Sequence, residues 1–181
     1  MFQDFEKITA GEKAPEIVNA LIEIPRGSNN KYELDKKLGV LRLDRALYSS
    51  VFCPIDYGFI PQTLSQDGDP LDILVLGSEP VVPGCLVEAR PIGLLNMIDS
   101  GRWDHKVLAV QEHNPRWQKI RTLNEVKELN PHLLEEIKHY FKVYKELQGK
   151  KVEVKDWENS DSAQKEILAS MKRYQENHKI K

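Results

Sequence analysis

Cysteine and long apolar runs are both scarce in this sequence of 181 residues. Its two cysteines, Cys53 and Cys85, cannot build a disulfide framework and are typical of thiols kept reduced in the cytoplasm. No apolar run approaches the roughly 20 residues that a membrane-spanning helix needs. Residues 1–7 contain neither a basic stretch nor an apolar one, so we expect no signal peptide. The sequence therefore predicts a cytoplasmic protein with no membrane partner.

An excess of positive charge is also lacking, since the net charge is −2. We therefore expect no nucleic-acid partner, because such partners are attracted by basic surfaces. Glycine-rich phosphate loops of the GxxxxGK[ST] or GxGxxG type do not occur, so any bound phosphate would be held by side chains and metal ions. The five histidines form no HExxH motif, and no Ser-His or Cys-His pairing indicates a covalent nucleophile.

The most informative segment is residues 66–72, in which three aspartates alternate with turn-forming residues. Gly68 and Pro70 turn the backbone, so Asp67, Asp69 and Asp72 can converge although their spacing fits neither a helix nor a strand. Close carboxylates repel each other by about 4 kcal/mol at 4 Å and intermediate dielectric, unless a cation lies among them. Oxygen ligands alone favour a hard ion such as Mg²⁺, Mn²⁺ or Ca²⁺. The alternative is a solvated Asp-Gly turn before a strand.

Alternating patterns predict strands on both sides of this segment. Residues 18–25 alternate with Val18, Ala20, Ile22 and Ile24 on one face, which places the carboxylate of Glu23 among apolar neighbours. Turn residues then predict a hairpin leading to residues 31–35, where Lys31, Glu33 and Asp35 share a face. The alternative is that this face is a polar outer surface of the sheet. Further strands are predicted over residues 39–45, 71–76, 85–92 and 107–110.

A second glycine-containing turn, residues 99–106, again joins carboxylates to a buried strand. Asp99 and Asp104 are its acids, and Lys106 could neutralise them, hold an anion or form a structural ion pair. Two such turns in one small β-rich chain make a simple solvated loop a weaker explanation for either.

The last third of the chain has helical periodicity. Asn130 and Pro131 predict the start of a helix that Gly149 ends, with Tyr144 on its apolar stripe. Asn159 and Ser160 predict the start of a final helix. We expect one domain over residues 1–181, a closed β-sheet or barrel with helices packed against it.

Strand ends and turns thus bring together acids, cations and phenols. A cluster with both charges suits metal ions that hold a phosphate whose remaining oxygens need donors. The members are the acids Glu23, Glu33, Asp67, Asp69, Asp72, Asp99 and Asp104, the cations Lys31, Arg45, Lys106 and Lys145, and the phenols Tyr57 and Tyr144.

Residues 67–72, Asp-Gly-Asp-Pro-Leu-Asp, resemble the motif of family I soluble inorganic pyrophosphatases. The resemblance extends over most of the chain, through segments 22–25, 31–33, 44–45, 56–60, 99–106, 144–145 and 157–159 in the family's order and spacing. It implies a β-rich α+β fold, an OB-like five-stranded closed barrel flanked by helices. It also implies hydrolysis of pyrophosphate to two phosphates by a metal-activated water without a covalent intermediate, several Mg²⁺ ions per site with Mn²⁺ as a possible substitute, and a homohexamer.

The same resemblance assigns a role to each charged residue. Asp69 is the expected catalytic base. The expected metal ligands are Asp67, Asp72, Asp99 and Asp104, with Glu23 and Glu33 acting largely through water. The expected substrate-binding residues are Lys31, Arg45, Lys106, Tyr144 and Lys145, with Tyr57 beside the metals. The sequence departs from the family at Trp103, where an acid is common.

Two other functions compete with this one. A related metal-dependent phosphohydrolase for nucleotides or polyphosphate would need a groove for the larger substrate, and the sequence has no aromatic cluster to serve it. An OB-like module for single-stranded nucleic acid would need a basic groove with stacking aromatics, whereas these residues are largely acidic.

Overall fold

The computed structural model describes residues 7–179. Residues 1–6 lie outside the described part. The prediction that residues 1–7 form no signal peptide therefore falls mostly outside it. The described strands are β1 (Val18–Ile24), β2 (Asn30–Asp35), β3 (Val40–Ala46), β4 (Asp56–Phe59), β5 (Asp72–Leu76), β6 (Leu86–Asp99), β7 (Arg102–Trp103), β8 (Lys106–Gln111) and β9 (Val152–Asn159). The helices are α1 (Leu123–Leu129), α2 (Leu133–Val143) and α3 (Ser160–Lys179).

Five strands close into a ring in the order β1, β4, β5, β8, β6 and back to β1. All of these pairings are antiparallel except that of β5 with β8, which are parallel and in register from Asp72 opposite Lys106. Strands β7 and β9 add to β6, while β2 and β3 form a separate hairpin. The predicted β-rich α+β fold, an OB-like five-stranded ring flanked by helices, is confirmed.

The ring is buried on both faces, which explains its near-continuous apolar strands. Along β5, Ile73 and Val75 belong to one core cluster, which includes Ile167 of α3. Leu74 and Leu76 belong to the other cluster, which is completed by residues of α1 and α2. Consecutive side chains of one strand thus face different helices, and the strand ends are held in fixed positions between them.

The structure corrects the predicted faces of β1. Val18, Ala20 and Ile22 share one cluster as predicted, but Ile24 belongs to the cluster on the other face. A register shift between Ile22 and Ile24 against β4 explains the change, because one irregular residue inverts the alternation after it. The hairpin predicted after this strand is in fact formed by β2 with β3.

Helix boundaries differ from the prediction as well. The predicted helix from Asn130 begins only at Leu133, and Asn130 instead ends α1, a helix that the periodicity did not indicate. A capping box between Thr122 and Glu125 starts α1, so its Thr-x-x-Glu spacing was the available sequence signal. The final helix begins as predicted, since the side chain of Asn159 accepts from the Ser162 N–H at 3.1 Å.

Within residues 7–179, no helix is both long enough and apolar enough to cross a bilayer.

Candidate active site

A cavity of about 620 Å³ lies where the ring meets the β2–β3 hairpin and the end of α2. It is lined by every site residue predicted from the sequence except Arg45. We call it the acidic cavity. The lining residues of that set are Glu23, Lys31, Glu33, Tyr57, Asp67, Asp69, Asp72, Asp99, Asp104, Lys106, Tyr144 and Lys145.

Residues 60–71, here called the acidic loop, connect β4 to β5 and carry Asp67 and Asp69. Its two ends are tied by Ile60 N–H donating to the Leu71 carbonyl at 2.9 Å, and by buried Thr63, whose hydroxyl accepts from Leu71 N–H at 2.9 Å. Near the tip, Ser65 N–H donates to the Asp69 carbonyl at 2.7 Å. The turn predicted from glycine and proline therefore exists, and it presents its carboxylates to the cavity.

Lys106 is the most deeply buried charge of the cavity, with a side chain only 2% exposed. Its ammonium group pairs with both Asp72 and Asp104, and it lies 5.7 Å from the ring centroids of Tyr57 and Phe141. Burial alone would lower the pKa of Lys106, but the attraction of the two carboxylates outweighs burial and raises it. Lys106 thus remains a cation inside the site.

Tyr57 and Lys106 both contact the carboxylate of Asp72. The Tyr57 hydroxyl donates to it at 2.6 Å, on the carboxylate oxygen that also faces Lys106. Burial raises the pKa of Asp72 to about 6, against the attraction of Lys106. Burial likewise raises the pKa of Tyr57, so its proton stays on the phenol and remains available to Asp72.

Asp99, at the end of β6, and Lys145, two residues after the end of α2, form a second ion pair across the cavity. Burial favours the neutral form of Asp99, but the hydrogen bond and charge of Lys145 prevail and lower its pKa. Lys145 also lies 5.1 Å from the ring centroid of Tyr144, which is itself buried. The end of α2 therefore brings one cation and one phenol to the site together.

The β2–β3 hairpin forms the opposite wall. Glu23 accepts from Leu34 N–H at 2.7 Å, which joins β1 to the hairpin, and burial raises the pKa of Glu23 to about 7. Lys31 pairs with Glu33 and lies 3.6 Å from Asp44. The costly charge predicted at Glu23 is thus partly satisfied by a backbone donor.

Arg45 is the one predicted site residue that does not line the acidic cavity. It lies opposite Lys31 in the hairpin and pairs with its neighbour Asp44, while its Nε is buried without a hydrogen-bond partner. Its role in substrate binding stays a prediction.

Several lining residues were missed by the sequence reasoning. Lys36 and Lys37, at the tip of the hairpin, border the acidic cavity, and Tyr140 and Phe141 of α2 form its apolar wall. A smaller cavity of about 370 Å³ adjoins it, bordered by Arg102 among others. Charged pairs in a hairpin turn and aromatics on a helix are common in structural roles, so no sequence signal distinguished them.

The donor set fits a hard divalent cation, because it consists of carboxylate oxygens. Within residues 7–179, however, no three acidic, histidine or cysteine side chains are gathered as a ready metal cage. Lysines occupy the space between the acids, as the pairs on Asp72, Asp99 and Asp104 show. Asp67, Asp69 and Asp72 were predicted to converge, and they do line the same cavity. Among the described residues, however, they do not form a preformed metal cage.

Comparisons with known proteins agree with this arrangement. The family model for inorganic pyrophosphatase matches residues 20–175. The inorganic pyrophosphatase of Halalkalibacterium halodurans is 49% identical over 160 residues, covering 88% of this chain and 96% of the relative. That of Nostoc is 48% identical over 171 residues, covering 94% and 99%. The crystal structure of the Thermus thermophilus inorganic pyrophosphatase superposes with a TM-score of 0.89 at 45% identity, covering 94% of this chain and 98% of that one.

The five-stranded ring, the acidic, lysine-bordered cavity and these comparisons together define the class, a hydrolase that acts on a phosphate compound. The chain belongs to the inorganic pyrophosphatase family, whose members hydrolyse pyrophosphate to phosphate. The resemblance read from the sequence and the predicted enzyme class are confirmed.

Proposed function

We propose that this chain hydrolyses inorganic pyrophosphate to two phosphates in the acidic cavity, by a metal-activated water and without a covalent intermediate. The observation that carries the proposal is the meeting of the five predicted aspartates with Lys106 and Lys145 in one cavity. Acids alone would suit cation storage, and cations alone would suit simple anion binding. Both together suit a phosphate held between metal ions and ammonium groups.

Mg²⁺ is the proposed cofactor, with several ions per site and Mn²⁺ as a possible substitute. When bound, Mg²⁺ lowers the pKa of a water and neutralises phosphoryl oxygens. The side chains proposed to hold it are Asp67, Asp72, Asp99 and Asp104, with Glu23 and Glu33 acting through water.

Asp69 is proposed to accept the proton of the attacking water. It is exposed to the cavity and, within residues 7–179, makes no ion pair, so its carboxylate is available as a base. Asp67 lies beside it, and its carboxylate accepts from the Asp69 N–H at 3.1 Å. This contact fixes the backbone of the proposed base while leaving its carboxylate open.

The cations of the cavity are proposed to bind the phosphoryl oxygens. Lys106 and Lys145 now neutralise aspartates that are also proposed metal ligands, so both lysines are placed to contact a phosphoryl oxygen at the same site. Lys31, Arg45 and Tyr144 complete the proposed donor set. Their charge offsets the negative charge that builds on the leaving phosphate.

We further propose that the whole chain is one domain that assembles as a cytoplasmic homohexamer. Large apolar side chains stand exposed on the single chain, among them Tyr48, Phe52 and Val82, and an assembly would cover such groups. Sedimentation at about six times the mass of one chain is expected. A monomer at working concentration would overturn this part of the proposal.

The function is tested by phosphate release from Mg-pyrophosphate, compared with release from nucleoside triphosphates and with binding of single-stranded DNA. We expect rapid release from pyrophosphate, little from nucleoside triphosphates and no DNA binding. Faster release from a nucleoside triphosphate would favour the related phosphohydrolase. DNA binding without phosphate release would favour the binding module.

A further inference from the structure

Helix α3 lies behind the acidic loop, outside the cavity, and holds both backbone polar groups of Leu64. The Leu64 N–H donates to the Ser170 carbonyl at 3.0 Å, and the Leu64 carbonyl accepts from Nε of Arg173 at 2.8 Å. Leu64 and Arg173 are 109 positions apart in the sequence. These two hydrogen bonds attach the helix to the loop at Leu64.

Arg173 is itself fixed by its own helix. Its Nη2 donates to Glu166 Oε1 at 2.6 Å and to the Ser170 hydroxyl at 2.7 Å. The Ser170 hydroxyl also donates to Glu166 at 3.2 Å, and Ser170 is fully buried. A guanidinium held on one edge by a carboxylate has little rotational freedom, so its Nε points at Leu64 in a defined direction.

The contact at Leu64 leads directly to the proposed base. The next residue, Ser65, donates its N–H to the Asp69 carbonyl at 2.7 Å and accepts at its own carbonyl from Gly68 N–H at 3.3 Å. The position of Asp69 thus depends on a short tight turn whose first residues are attached to α3. A shift of Leu64 would move Ser65 and, with it, the Asp69 backbone.

We infer that Arg173 is a positioning residue for pyrophosphate hydrolysis: by holding the Leu64 carbonyl it fixes the acidic loop so that Asp69 faces the cavity correctly. The inference rests on the proposed function, because it treats Asp69 as the base. Arg173 does not line the cavity, so it would act on the reaction only through the loop. Misplacement of a reacting group by about 1 Å can cost about a hundredfold in rate, so a small loop movement suffices.

The test compares the parent enzyme with Arg173→Met, which keeps the aliphatic stem but removes both sets of hydrogen bonds, and with Arg173→Lys. Lys172→Met is the matched control, since Lys172 is the preceding residue of the same helix, is 76% exposed and lies 3.9 Å from Glu176 in a weak surface pair. Assays run at saturating Mg²⁺ and well below the melting temperature of every variant. Hydrogen exchange of the peptide covering residues 61–71 is measured in parallel.

For Arg173→Met we expect kcat to fall by about ten- to a hundredfold while KM changes by less than about threefold, because the substrate-binding lysines are untouched. Exchange should become faster in residues 61–71 and stay as in the parent in the β2–β3 hairpin. Arg173→Lys should recover only part of kcat, since one ammonium group does not replace a guanidinium that bonds on two sides. Lys172→Met should match the parent.

Parental kcat in folded Arg173→Met would overturn the inference, even if the melting temperature fell. Faster exchange throughout the protein would also overturn it, because it would indicate a general stabilising role. If the parent itself released no phosphate from pyrophosphate, the proposed function would fail instead. The exchange measurement would still decide whether Arg173 holds the loop.

Discussion

Some carboxylates of the acidic cavity are neutralised by a lysine and others are not. Asp72 and Asp104 share the buried ammonium of Lys106, and Asp99 has Lys145. Asp69 is exposed, whereas Asp67 and Glu23, which like Asp69 form no ion pair among the described residues, are half-buried. Neutralised acids are suited to change partners between lysine and metal, whereas an unpaired one is suited to take up a proton.

Asp69→Asn should lower kcat by about a hundredfold or more, because general bases contribute about 10²–10⁴ in rate and an amide cannot accept the proton. The fold should be unaffected, since the Asp69 carbonyl and N–H keep their bonds to Ser65 and Asp67. Steady-state kinetics and the melting temperature are measured on the same preparation. A kcat within a few-fold of the parent would remove Asp69 from its role.

Lys31→Ala should raise the KM for pyrophosphate by about tenfold or more, since a hydrogen bond to a charged group contributes about 1.5–3 kcal/mol. Arg45→Lys should also weaken binding, because a point charge does not replace the planar guanidinium. Half-saturation by Mg²⁺ should change much less in both variants. Lys165→Ala, on exposed α3 surface, is the control. Equal shifts in the Mg²⁺ and pyrophosphate titrations would contradict the separation of roles.

At the scale of single elements, β4 both contributes to the site and closes the ring. Tyr57 reaches Asp72 from it, and Gly58 lets β1 approach. A Cβ at Gly58 would lie 1.9 Å from the Leu21 carbonyl oxygen, an impossible contact with backbone. The glycine is therefore required by the closure of the ring and not by a turn.

Gly58→Ala should lower the free energy of unfolding by about 3 kcal/mol or more, at the upper end of single substitutions. Gly27→Ala is the comparison, because its Cβ would meet nothing within 4 Å although its φ is +84°. There the loss should be nearer to about 1 kcal/mol, which reflects backbone strain alone. Urea denaturation of the three proteins checks both values. Similar losses at the two glycines would contradict the close approach of β1 to β4.

The elements that were predicted best from the sequence are the strands that are buried on both faces of the ring, because their residues form apolar runs. β5 and β8 are short apolar runs after charged turns, so both the strands and the carboxylates at their ends were found. Ile24 was assigned to the wrong face because a strand irregularity leaves no mark on composition. Helix α1 was missed, although the Thr122–Glu125 capping box could have indicated it.

The candidate site was predictable as a set of residues but not as a set of contacts. Predicted strand ends and turns, together with the family resemblance, indicated these acids and lysines, and the structure brings all of the predicted site residues but Arg45 to one cavity. Lys106 is buried between Asp72 and Asp104 because β5 and β8 pair in parallel with Asp72 opposite Lys106. No local sequence pattern encodes that register. The contact of Arg173 with Leu64 is equally non-local.

At the scale of the whole molecule, the acidic cavity is assembled from distant parts of the chain. The acidic loop, the β6–β7 turn, the hairpin and the end of α2 each supply one wall, and the ring fixes their separation. Cations bound there would have ligands from several elements whose separation is set by the ring. The preference for one divalent metal ion over another should therefore depend on the spacing that the ring sets between the ligands, as well as on the ligands themselves.

Ca²⁺ should support little or no hydrolysis and should inhibit the Mg²⁺ enzyme, while Mn²⁺ supports some. Mg²⁺ prefers six oxygens at about 2.0–2.1 Å, whereas Ca²⁺ takes 6–8 at about 2.3–2.6 Å and would lengthen the distances to the reacting groups. Phosphate release is measured with each metal alone and with Ca²⁺ titrated against Mg²⁺. Equal turnover with Ca²⁺ and Mg²⁺ would show that the cavity is not rigid.

The central claim is that water, activated with metal ions, cleaves pyrophosphate directly in this cavity. The most direct measurement follows radiolabelled pyrophosphate through single turnovers with Mg²⁺, stopped by acid, with free phosphate and protein-bound label counted separately. We predict that all label released from pyrophosphate is found in free phosphate, that none remains on the protein, and that a chelator added beforehand stops the reaction. Label retained on the protein, or undiminished release after chelation, would contradict the account.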